Sequence, residues 1–99
     1  MKTFVYLLES IAERSILSPV VPLHLAHLDG LRKKGILIAF GPFEDRTGGL
    51  VAFSAETLEE AKTIVNSDPF VKEKVEKLVW LKEWTCSIEK EGMKLIKET

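Results

Sequence analysis

A single cysteine, Cys86, stands in a chain of 99 residues. No disulfide can close within the chain, and no metal-ligand spacing surrounds the thiol, so the sequence suits a reducing compartment and predicts a cytoplasmic protein. An excess of one charge is also missing, since 14 Lys and Arg against 15 Asp and Glu leave a net charge of −1. Without a basic field to neutralise a row of phosphates, nucleic acid is not an expected partner. Long apolar runs are lacking as well. The longest charge-free stretch, Ser15 to Leu28, carries Pro19, Pro22, His24 and His27 and falls short of the ~20 residues a bilayer requires. Residues Phe4 to Leu8 imitate a signal peptide, but the run stops at Glu9, too early for its apolar core. The sequence has no phosphate-cradling glycine loop and no flavin or haem motif, and His24 and His27 have no clear third ligand, so no cofactor or metal is expected.

What is present makes a fold. Apolar residues form 45% of the chain and charged residues 29%, the balance of a globular protein. The length supports one domain, residues 1–99, because two would each be too small to offset their conformational entropy. Thr3 to Leu8 reads as a first strand covered on both faces. Ser18-Pro19 reads as the start of a helix that ends at Lys33-Lys34-Gly35. Ile36 to Phe40 and Leu50 to Phe53 form a hairpin about the polar turn Glu44 to Gly49. Thr57-Leu58-Glu59-Glu60 caps a second helix that closes near Asn66. Lys77 to Ile88 carries Leu78, Trp80, Trp84, Cys86 and Ile88 at period two, a last strand. The order βαββαβ is that of the α+β, ferredoxin-like split βαβ unit, an antiparallel four-stranded sheet with two helices on one face. The strands, Trp80 and Trp84 included, hold more apolar bulk than one helical layer covers. A homodimer packed sheet to sheet is therefore expected.

Candidate chemistry centres on the first helix. With about 100° per residue, Val20, Val21, His24, Leu25, Leu28 and Leu31 share one arc, which turns His24 toward the sheet and leaves His27 at the edge, nearer solvent. An unpaired imidazole on an apolar face would cost about 1–3 kcal/mol. Asp68, just after the second helix, is the best partner, although Asp before Pro is equally a helix cap. A carboxylate on one ring nitrogen would leave the other free to take or give a proton. Tyr6, Phe40, Phe43 and Phe70 could wall a small-molecule pocket, and Arg46 could hold a substrate carboxylate. Cys86 has no activating base beside it in the sequence and reads as a strand residue.

His24-Leu25-Ala26-His27-Leu28, Gly41-Pro42-Phe43, Gly48-Gly49 and Asp68-Pro69-Phe70 occur in the order and spacing of YciI-like (YCII-related) proteins, which the chain resembles over nearly its whole length. The resemblance implies a dimeric α+β barrel of two ferredoxin-like protomers, with an active site built on His24 and Asp68. It also implies proton-transfer chemistry, since one member is a dehydrochlorinase acting on a chlorinated hydroxyhydroquinone and muconolactone isomerases share the superfold. The chain departs from the family at Lys72 to Val75, where a glycine is frequent, and at Glu83-Trp84, where Pro-Trp is frequent. No catalytic role extends to His27. The expected function is a cofactor-independent lyase or isomerase of small molecules; the alternative is a YciI-like dimer that binds such molecules without turnover. A third class, an RNA-recognition module, fails because Gly48 to Phe53 lacks alternate stacking aromatics behind a basic residue.

Overall fold

The computed structural model describes residues 1–87. Nine elements follow one another: β1 (Lys2–Ser10), α1 (Arg14–Leu17), a 3₁₀ turn (Ser18–Val20), α2 (Val21–Lys33), β2 (Leu37–Pro42), β3 (Gly48–Ala55), α3 (Leu58–Asn66), α4 (Pro69–Lys72) and β4 (Glu76–Glu83). The strands form one antiparallel sheet in the order β2-β3-β1-β4, which is the ferredoxin-like arrangement. Phe4, Tyr6 and Leu8 of β1 alternate into the core beside Val51 and Phe53 of β3, under Leu28 and Leu31 of α2 and Ala61 and Val65 of α3. Burying each of the larger apolar side chains contributes about 1.5–3 kcal/mol.

The helix ends follow local chemistry. Thr57 Oγ1 accepts the amide of Glu60 at 3.1 Å, so α3 begins where its cap predicts. Gly35 adopts φ 77° after α2, and the amides of Gly35 and Ile36 bond back to Arg32 and Leu31 at 2.9 and 3.1 Å. This pair of bonds needs a left-handed residue, which glycine supplies without a Cβ clash. The start of the first helix differs from expectation. Ser18 makes no side-chain cap bond, and helical turns already begin at Arg14. Pro19 sits at the head of the 3₁₀ turn, where its missing amide is harmless.

Strand alternation breaks at two bulges. Between Leu7 and Leu8 the register against β4 slips by one residue, so Leu78 and Leu81 both pack on the core while Trp80 turns to the opposite face with Leu7. Period-two reading of Leu78, Trp80 and Trp84 thus fails, because a bulge inserts an unpaired residue. Trp84 lies just past the strand end and is exposed, and Ile88 falls outside the described residues. A second slip lies between Leu37 and Ala39 on β2, the sheet edge, where Pro42 is tolerated. At Gly48 an added Cβ would strike the Leu8 carbonyl, and at Gly49 the Gly41 carbonyl. The glycine pair lets three backbones close together here.

Candidate functional site

Asp68-Pro69-Phe70 assembles most of the site from three consecutive residues. Asp68 caps α4, its Oδ1 accepting the Phe70 amide at 2.9 Å. The same Oδ1 accepts from His24 Nδ1 at 2.8 Å, and Oδ2 accepts the Tyr6 hydroxyl at 2.8 Å. Cap and dyad are therefore one arrangement. Asp68 is 0% exposed, and such a carboxylate must be satisfied on every side to remain charged.

Burial pushes the Asp68 carboxyl upward, but the His24 bond and charge, the Phe70 amide and the Tyr6 hydroxyl outweigh it and hold its pKa below the ordinary value. The Tyr6 hydroxyl is driven the other way, by burial first and then by the Asp68 charge and bond. Asp68 is thus an acceptor only, and Nδ1 of His24 must carry the proton that joins them. The ring of Phe70 stacks on the imidazole at 3.9 Å and 10°, fixing its plane. Nε2 has no partner among the described residues, and His24 borders a cavity of about 310 Å³.

That cavity lies between α1 and α2 on one side and the ends of β1, β2 and β3 on the other. Phe40, Phe70 and Arg46 line it, joined by Leu25, Val51 and the bare backbones of Gly41, Gly48 and Gly49. Tyr6 does not reach it. It stands behind Asp68, 0% exposed, its ring edge-on to Phe53 at 5.8 Å. Phe43 is outside the cavity too, and its amide closes the β2–β3 turn onto Gly48 at 2.7 Å. Sequence reasoning missed Arg14, Ser10 and Glu76, which also line the cavity. Ser10 continues the inward row Phe4, Tyr6, Leu8 by parity, and starting β4 at Lys77 leaves out Glu76, its partner in register. His27 also differs from expectation: it is half-buried, and its Nε2 is enclosed without a hydrogen-bond partner among the described residues. Those residues contain no cluster of His, Cys, Asp and Glu able to hold a metal and no helix long and apolar enough to cross a membrane.

The family model of the YCII-related domain matches residues 3–85. The chain belongs to this family. A relative from Bacillus subtilis (strain 168), the uncharacterized protein YjpA, is 43% identical over 61 residues, which is 62% of this chain and 71% of that protein. Among solved structures, the 5-chloro-2-hydroxyhydroquinone dehydrochlorinase TftG of Burkholderia phenoliruptrix AC1100, in complex with 2,5-dihydroxybenzoquinone, superposes with a TM-score of 0.67. The match spans 88% of this chain and 96% of that one at 23% identity, which is a likeness of fold.

Proposed function

We propose that this YCII-related protein is a cofactor-independent enzyme that moves a proton on a small molecule, in a lyase or isomerase reaction such as dehydrochlorination. One observation carries the proposal: His24 Nδ1 stands 2.8 Å from a fully buried Asp68, with Nε2 left for the cavity. In this reading Nε2 takes the substrate proton as general base, and Asp68 fixes the tautomer and stabilises the imidazolium that forms. For an elimination of HCl, the C–H pair becomes the new double bond and chloride leaves with the C–Cl pair. Asp68 and Tyr6 are positioning residues here, whereas Phe40 and Phe70 give the ligand an apolar wall and Arg46 meets an anionic substituent.

We also propose that the chain works as a homodimer, in the cytoplasm, through the sheet face away from the helices. Val5, Leu7 and Trp80 are only half-buried there, and a second copy would cover them.

Chloride release from 5-chloro-2-hydroxyhydroquinone, measured with a parallel panel of lactones, tests the enzyme reading. Turnover by the wild type that His24→Gln abolishes, with ligand binding kept, supports it. Binding by both proteins with turnover by neither makes the chain a binding module instead.

A further inference from the structure

Glu76 is 8% exposed, on the same cavity as His24. A buried carboxyl calls for partners on both oxygens, and Glu76 has one: Ser10 Oγ donates to its Oε2 at 2.8 Å. Oε1 has no partner among the described residues. Glu76 lines the cavity, so a bound molecule is within its neighbourhood.

We infer that Glu76 is the group that donates a hydrogen bond to an oxygen of the bound molecule, so that the ligand class is a small ring bearing a carbonyl or anionic oxygen. The inference rests on the proposed function only in taking the cavity as a small-molecule site; it does not require turnover. Donation needs the acid form. Burial pushes the Glu76 pKa up, the Ser10 bond and His24 pull it partly back, and the Asp68 charge adds to the rise. Arg14 and Arg46 share the cavity and make no ion pair among the described residues, which suits an anionic oxygen. As His24 removes a proton, negative charge would collect on that oxygen, where a donor lowers the barrier most.

The test is calorimetric titration of 2,5-dihydroxybenzoquinone into the wild type and Glu76→Gln from about pH 5 to pH 8. Ser10 on β1, Arg14 on α1, His24 on α2, Arg46 in the β2–β3 turn and Asp68 ahead of α4 are common to both proteins, so the difference isolates position 76. Gln keeps a neutral donor at every pH and can still accept from Ser10. Affinities should match at low pH, and the wild type should then weaken by about tenfold relative to the variant as pH rises, the loss of one donor in a closed site. The Glu76 side-chain carboxyl carbon, followed by NMR in the wild type, should shift on ligand addition. Parallel pH profiles and an unmoved carboxyl resonance overturn the inference, while the His24→Gln assay judges the enzyme reading separately.

Discussion

His24 and His27 lie three residues apart on one helix and have opposite surroundings. His24 meets a charged acceptor on one nitrogen and a stacked ring on its face, and it lines the cavity. His27 turns toward α3, where burial lowers its pKa most, against a raising effect from Asp68 and a backbone contact with Ile64, and its Nε2 has no partner among the described residues. The same side chain is thus fixed in tautomer and plane in one place and left short of a hydrogen bond among the described residues in the other. What separates them is whether a buried carboxylate lies within reach.

Replacing His24 should have the largest effect. His24→Gln is expected to reduce turnover by about 10²–10⁴-fold with the fold intact, measured by initial rates and circular dichroism; a rate within a factor of about three of wild type would remove His24 from the chemistry.

Asp68→Ala attacks the partner that only His24 has. It strands the Tyr6 hydroxyl, the Phe70 amide and His24 Nδ1 together, and a loss of about 3–5 kcal/mol is expected in urea melts. A loss below about 1 kcal/mol would mean that water satisfies these donors.

Tyr6→Phe sharpens the contrast with less damage. It deletes one of the bonds to Asp68 and no packing, so about 1–2 kcal/mol should go, with a smaller drop in turnover than at His24. Ligand affinity should hold, since Tyr6 does not line the cavity.

The smallest effect falls on His27. Its folded pKa is depressed, so the folded protein takes up a proton less readily than the unfolded chain. Stability is then complete above about pH 6.5 and declines as pH falls. His27→Gln should flatten that decline in melts at successive pH values; an unchanged slope would trace it to other groups.

Much of this was legible in the residues. The helical arc placed His24 inward, Thr57 and Gly35 marked helix ends, and Asp68-Pro69-Phe70 marked both a cap and the dyad's acid. Other features depend on contacts that periodicity does not encode. The bulge at Leu7/Leu8 changes which residues of β4 face inward, so Trp80 leaves the row of Leu78, and Trp84 falls past the strand end. Tyr6 was assigned to a pocket wall because aromatics suit such walls, whereas its hydroxyl is consumed by Asp68. Glu76 escaped notice because an acid beside Lys77 resembles a solvated strand end until Ser10 is seen opposite it.

General-base action by His24 requires the proton to lie on Nδ1, between ring and carboxylate, with Nε2 bare. Nitrogen-15 NMR of the two neutral imidazoles in the wild type tests this directly. His24 should show a protonated Nδ1, coupled to its own proton, and an imine-type Nε2. A His24 ring protonated at Nε2 instead would contradict the account, because the nitrogen facing the cavity would then have no lone pair to receive a proton.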